Sequence, residues 1–216
     1  MTPLNIENMV IALSQGVKIV ELIYRKLVDE QISRMDEIKD PHIVYVTDLV
    51  TCTHKFHLRK SYPELTIIFE PSAVLGTLLH KGLEAFLSEK GFESEVDIES
   101  RIVVDGNEYL LKGRVDALNK GERVVIEIKT ARIAKNLPRE HHIKQLNIYL
   151  NMIGYDRGVL IYFTPSRIVE HPVSREFVDL EHLVREVVYD TRHPRYEREC
   201  NYCVFRKLCI YVTTSK

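Results

Sequence analysis

With 216 residues, 45% of them apolar, the chain has ample material for a buried core and fits one large domain or two small ones. A formal net charge of -1 gives no overall attraction for a polyanion, so nucleic-acid contact has to come from local basic patches. No apolar run approaches the roughly 18 residues of a membrane span, and the N-terminus lacks a signal-peptide pattern; a cytoplasmic protein with no membrane partner is expected, whose cysteines are metal ligands or buried thiols rather than disulfides.

Apolar residues at helical spacing (Val10, Leu13, Val17, Val20, Ile23, Leu27, then Ile32, Met35 and Ile38) predict a helical arm over residues 4–38 that packs on the core or on a partner. A short extended segment at Ile43 to Val46 follows, and Thr47-Asp48 reads as a helix cap, which places Cys52 in the first turns of a short helix. Pro71-Ser72 opens a helix that runs to Gly91, with Leu75, Leu78, Leu79, Leu83 and Phe86 as its buried stripe. His80 falls off that stripe, one turn after Gly76, whose missing side chain leaves room beside the imidazole.

Three extended segments come next: Val96 to Val104, Tyr109 to Leu118 and Arg123 to Thr130, joined by tight turns at Asp105-Gly106-Asn107 and Asn119 to Glu122. Turns this short predict an antiparallel meander. Side chains alternate across a strand, so Glu127 and Lys129 share one face while Ile126 and Ile128 share the other, and the turn carries Asp116 back beside Glu127. Pro138 opens a helix that ends at Gly154, with Ile143, Leu146, Leu150 and Ile153 facing the core and Gln145 and Tyr149, four apart, on a neighbouring face. Gly158 to Phe163 and Ile168 to Val173 read as a hairpin about Thr164-Pro165-Ser166, and a last helix spans Asp179 to Tyr189. The outline is a mixed α/β chain in three parts: an N-terminal helical arm (1–45), a core (46–190) and a C-terminal cysteine segment (191–216).

Two sets of residues are suited to chemistry. Asp116, Glu127 and the backbone carbonyl of Ile128 are hard oxygen donors for a divalent cation, an imidazole from His80 tilts the choice from Mg2+ toward Mn2+, and Lys129 is placed to orient a water and stabilise charge on a phosphodiester. Cys200, Cys203 and Cys209 fall within ten residues, and Cys52 is the one other cysteine available to complete four thiolates. Spacing alone leaves zinc and iron-sulfur both open. Basic and aromatic residues near the cysteines (Arg195, Tyr196, Arg198, Tyr202, Phe205, Arg206, Lys207) are of the types that contact an unpaired nucleic-acid strand, and Thr53 to Lys60 and Ala131 to Lys144 are further basic stretches.

Gly76-x-x-x-His80, Gly113-x-x-Asp116, Glu127-Ile128-Lys129 and Gln145-Leu146-x-x-Tyr149 occur in an order that resembles the RecB-like branch of the PD-(D/E)xK nuclease superfamily, with Val115-Asp116 in place of the Pro-Asp pair. With Cys52 upstream and the terminal C-x-x-C-x-x-x-x-x-C, the chain is similar to the CRISPR-associated RecB-like iron-sulfur exonucleases over about Val46 to Cys209. The resemblance implies a restriction-endonuclease-like core with a central mixed sheet flanked by helices. It implies His80, Asp116, Glu127 and the Ile128 carbonyl as ligands of Mn2+ or Mg2+, and Lys129, Gln145 and Tyr149 as catalytic partners. It further implies an iron-sulfur cluster on Cys52, Cys200, Cys203 and Cys209, 4Fe-4S in preference to 2Fe-2S. The implied activity is metal-dependent exonucleolytic cleavage of DNA, chiefly at single-stranded ends, in CRISPR spacer acquisition beside other adaptation proteins, with homo-oligomerisation open. The alternative is a non-catalytic DNA-binding or scaffolding subunit with a structural iron-sulfur or zinc site.

Overall fold

The computed structural model describes residues 18–67 and 70–213. They divide between two compact units, Met1–Asp36 and Glu37–Lys216. In the first unit, helix α1 (Ile19–Ile32) leaves Ile19, Val20, Leu22 and Ile32 exposed; Val10, Leu13 and Val17, assigned above to the arm, lie outside the described residues. No helix among the described residues is long and apolar enough to cross a membrane.

The second unit is built on one six-stranded mixed sheet. After α2 (Met35–Lys39) come β1 (Ile43–Tyr45), α3 (Val46–Leu49), α4 (Thr53–Ser61), a 3-10 turn (Pro63–Thr66) and α5 (Pro71–Ser88). Then follow β2 (Glu93–Val104), β3 (Asn107–Asn119), β4 (Val124–Thr130), α6 (Glu140–Ile153), β5 (Arg157–Phe163), β6 (Ile168–Ser174), α7 (Leu180–Val188) and a 3-10 turn (Glu199–Tyr202). The meander β2-β3-β4 is antiparallel, β5 joins β4 in parallel through the α6 crossover, and β6 returns antiparallel on β5.

One junction positions the site. β2 lines one edge of β3 along nearly its whole length, from Val104↔Asn107 to Glu93↔Leu118. The opposite edge is shared: β1 pairs in parallel with Leu110–Lys112, and β4 pairs only with Ala117–Asn119. Between these partners the stretch from Gly113 to Asp116 has no strand on that side, so β3 and β4 splay apart and polar side chains fill the gap. Ala117, Ile126, Ile128 and Ile161 form a small cluster with Leu79, Leu83 and Leu87 of α5, while the larger core gathers Leu118, Val125, Leu160 and Tyr162 with Leu146, Ile148, Tyr149 and Leu150 of α6 and Leu183, Val184 and Val187 of α7.

Three local details differ from the reading above. The inward face of α5 is Leu79, Leu83, Glu84 and Leu87, whereas Leu75, Leu78 and Phe86 are exposed. Apolar residues occur nearly all round this helix, so periodicity did not select the face; the partners on the sheet did. Cys52 is the residue that precedes α4, because α3 ends after four residues at Leu49. Pro138 precedes the N-cap, Arg139, and α6 starts at Glu140; it stops at Gly154, which takes the left-handed conformation (φ +77°) that glycine adopts without strain.

Candidate active site

The splay of β3 from β4 explains where Asp116 goes. Pairing ends at Ala117↔Ile126, which leaves the Ile128 N–H without a ladder partner on the β3 side, and Asp116 Oδ2 accepts it at 2.6 Å. Its other oxygen, Oδ1, stands 3.4 Å from His80 Nδ1 of α5. Burial by itself would lower the His80 pKa, but the hydrogen bond to Asp116 and its charge hold the imidazole above its ordinary value.

Glu127 is 3% exposed and divides its two oxygens. Oε1 accepts from Lys129 Nζ at 2.5 Å and from Gln145 Nε2 at 2.9 Å, while Oε2 is buried without a hydrogen-bond partner among the described residues. Burial pushes the Glu127 pKa up to about 7, against the pull of Lys129. Burial also works against the Lys129 charge, yet Glu127 and Asp116 hold its pKa above the ordinary value, so the ammonium keeps its proton. Gln145 completes a relay: Oε1 accepts from Lys129 Nζ at 3.1 Å, and Nε2 donates to the Tyr149 hydroxyl at 3.1 Å. Tyr149 fits against β3 because residue 113 is glycine; a Cβ there would stand 2.6 Å from Tyr149 Cε1 and 2.9 Å from Val46 Cγ2. Gly76 does not make room for the imidazole, since the atoms a Cβ there would meet belong to Thr130, at an ordinary 3.5 Å.

Three residues not singled out in the sequence belong to this neighbourhood. Glu84 lies one turn beyond His80, and Glu84, His80 and Asp116 each bring one ligand atom within 4.8 Å of the others. The signal was present in the i, i+4 spacing of His80 and Glu84 on one helix face. Tyr162 is the register partner of Lys129 on β5. Its hydroxyl accepts from the Arg139 N–H at 3.1 Å and shares a 2.7 Å hydrogen bond with His142 Nδ1. Burial and then the Lys129 charge push the His142 pKa down to about 2, which keeps this ring neutral. No sequence motif announced the pair, because it depends on α6 crossing β5.

The arrangement thus holds one unpartnered carboxylate oxygen on Glu127, a carboxylate on Asp116 with Oδ1 turned to an imidazole, and a buried ammonium. A family model described as the PD-(D/E)XK nuclease superfamily matches residues 72–175, from α5 to the end of β6. The CRISPR-associated exonuclease Cas4 of Saccharolobus solfataricus is 38% identical over 200 residues, spanning 88% of this chain and 97% of that protein. The chain belongs to the Cas4 exonuclease family. The crystal structure of SSO0001 superposes with a TM-score of 0.86 at 38% identity and covers 93% of this chain and 100% of its own.

For a Cas4-family chain, the span of the superfamily match is informative: it contains His80, Asp116, Glu127, Lys129, Gln145 and Tyr149 and none of the four cysteines. Cys52, Cys200, Cys203 and Cys209 are free thiols that line one cavity of about 500 Å³, together with Lys55, Arg139, His141 and Tyr196. Glu199 ties the segment at Cys52 to the C-terminal cysteine segment there. Its Oε1 accepts from Cys52 N at 2.9 Å, and Oε2 accepts from Arg195 N at 2.8 Å and Tyr196 N at 3.0 Å. Burial pushes the Cys52 thiol up to about 11, and burial raises Cys209 as well.

The basic stretches are partly absorbed by this packing. Of Thr53 to Lys60, His54 pairs with Asp190 at 2.6 Å, Arg59 with Asp48 at 2.7 Å, and Lys60 donates to the carbonyls of Asp40 and Ile43. Arg195 is buried on Glu186 and Phe205 is fully buried, so neither is a surface contact. Tyr202, Arg198, Arg206 and Lys207 remain exposed.

Proposed function

We propose that the chain is a divalent-metal-dependent exonuclease that trims DNA ends, chiefly single-stranded ones, in CRISPR spacer acquisition alongside other adaptation proteins. The observation that carries this reading is Glu127 Oε2. A buried carboxylate oxygen without a partner is costly, and a cation is the partner that removes the cost. Asp116 Oδ1, Glu127 Oε2, the Ile128 carbonyl and His80 are the donors that would hold it, a set that suits Mn2+ as well as Mg2+. When bound, the ion supplies polarisation of the phosphate and a more acidic water.

The chain's own groups do the rest. Lys129, kept protonated by Glu127 and Asp116, places positive charge where negative charge develops on the phosphodiester. Gln145 and Tyr149 hold Glu127 with one oxygen occupied and the other free. His142, kept neutral by burial and the Lys129 charge, is held in orientation by its hydrogen bond with Tyr162. The relative's description as a CRISPR-associated exonuclease supports the assignment of substrate and setting.

For the cysteines, the reading is an iron-sulfur cluster, 4Fe-4S in preference to 2Fe-2S. No three of the thiols lie within 4.8 Å of one another, whereas tetrahedral zinc-thiolate sites hold their sulfurs roughly 3.8 Å apart. The open cavity favours the larger group. Manganese-dependent cleavage of end-labelled single-stranded DNA tests the enzyme assignment: Asp116→Ala and Glu127→Ala should abolish it, and retained cleavage in either refutes the site. Iron and zinc content with absorbance near roughly 400 nm in anaerobically purified protein tests the cluster.

A further inference from the structure

We propose that Glu84 is a ligand of the divalent cation at this site, joining His80 and Asp116 in a three-residue set on the α5 side of β3. The proposal rests on the nuclease reading above and extends its metal site by a residue outside the carboxylate-and-lysine motif.

Geometry comes first. His80, Glu84 and Asp116 are the one group of three histidine, cysteine or acidic residues among the described residues whose ligand atoms lie within 4.8 Å of one another. Glu127 is outside that group, with Oε1 taken by Lys129 and Gln145 and Oε2 bare. Asp116 spends Oδ2 on the Ile128 N–H, so Oδ1 is the oxygen left facing His80.

The second observation concerns Glu84 alone. The residue is 7% exposed, yet no described residue donates a hydrogen bond to its carboxylate. The adjacent serines, Ser88 and Ser94, donate to its backbone carbonyl at 2.9 and 3.0 Å and leave the carboxylate bare. A glutamate retained for structure looks different: Glu186, equally buried, takes 2.8 Å bonds from Arg192 and Arg195. The Glu84 carboxylate thus stands beside Asp116 and the imidazole without a donor of its own among the described residues. A divalent ion between it, Asp116 Oδ1 and the imidazole would take the three as one donor set. One nitrogen and two carboxylate oxygens favour Mn2+ over Mg2+.

Manganese binding to the anaerobically purified full-length protein, read from loss of the free Mn2+ electron paramagnetic resonance signal, tests this without DNA or turnover. Glu84→Gln should weaken binding by about tenfold or more, with metal-free melting no lower than wild type. Glu84→Cys replaces an oxygen ligand with a thiolate, so the Cd2+/Mn2+ affinity ratio should rise about tenfold or more over that of wild type, whose four native cysteines set the baseline. Wild-type affinity in Glu84→Gln overturns the proposal. So does weakened affinity with an unchanged ratio in Glu84→Cys, the pattern of a group acting through His80. Asp116→Asn separates the two levels of inference: wild-type Mn2+ binding in that variant sinks the nuclease site as well, whereas loss of binding there with no effect at Glu84 removes Glu84 alone.

Discussion

Gly113→Ala puts a methyl group into the space that lets Tyr149 reach the site. The added carbon would stand 2.6 Å from Tyr149 Cε1 and 2.9 Å from Val46 Cγ2, where carbon contacts ordinarily settle at about 3.5–4.0 Å. The ring is almost fully buried between β3 and α6, so relief requires it to move by about 1 Å. Overpacking of this kind costs about 1–3 kcal/mol. The displacement also travels through the relay, since Tyr149 holds Gln145 at 3.1 Å and Gln145 holds Glu127 at 2.9 Å; a shift of that size at the reacting groups costs on the order of 10²-fold in rate. Thermal melting and manganese-dependent cleavage of single-stranded DNA read both effects. Removing the ring with Tyr149→Leu removes the closer of the two clashes and leaves the one with Val46, so in that background Gly113→Ala should cost less stability than it does in wild type. Wild-type melting and cleavage in Gly113→Ala, or an undiminished stability cost in the Tyr149→Leu background, would refute the reasoning.

Other consequences are equally direct. Glu127 has a folded-state pKa of about 7, above its ordinary 4.5, so the native protein holds a proton that the unfolded chain gives up; metal-free protein should lose stability as pH rises between these values, by up to roughly 3 kcal/mol, and Glu127→Gln should flatten that loss in melts across the range. Glu199→Ala strips the acceptor from three backbone N–H groups beside Cys52, Arg195 and Tyr196 and should cost about 2–4 kcal/mol with reduced iron content, measured by melting and metal analysis. Tyr202 is 85% exposed, and Tyr202→Ala should leave melting unchanged while weakening single-stranded DNA binding by about 1–3 kcal/mol in a fluorescence titration. Phe205→Ala, at a fully buried position three residues away, should instead cost about 3–5 kcal/mol of stability.

The meander and its turns were legible because tight turns and period-two alternation are local properties: Asp105-Gly106 and Asn119 to Glu122 fall where β2, β3 and β4 reverse. The same alternation placed Glu127 and Lys129 on one face, and the 2.5 Å bond between them follows from that. Gln145 and Tyr149 were readable as a pair because four residues make one helical turn. The face of α5 was not readable. Leu75, Leu78 and Phe86 are as apolar as Leu79, Leu83 and Leu87, and the helix turns the second set inward against Ala117, Ile126, Ile128 and Ile161 of the sheet, a rotation that also delivers His80 and Glu84 to Asp116.

Residue types and spacing were therefore enough to name an acidic, lysine-bearing strand pair, a histidine helix, a glutamine and tyrosine pair, and a three-cysteine segment, since each is written within one element or one short segment; the cavity that Cys52 shares with the other three is a product of the fold. Whether a carboxylate is free or satisfied was decided only in three dimensions. Asp116 spends one oxygen on a strand edge opened by the splay of β3 and β4, and Glu127 keeps one oxygen bare because its neighbours fill the other. The same holds for Glu84, a residue with no motif of its own, whose isolation is a property of what the fold packs around it rather than of the letters beside it.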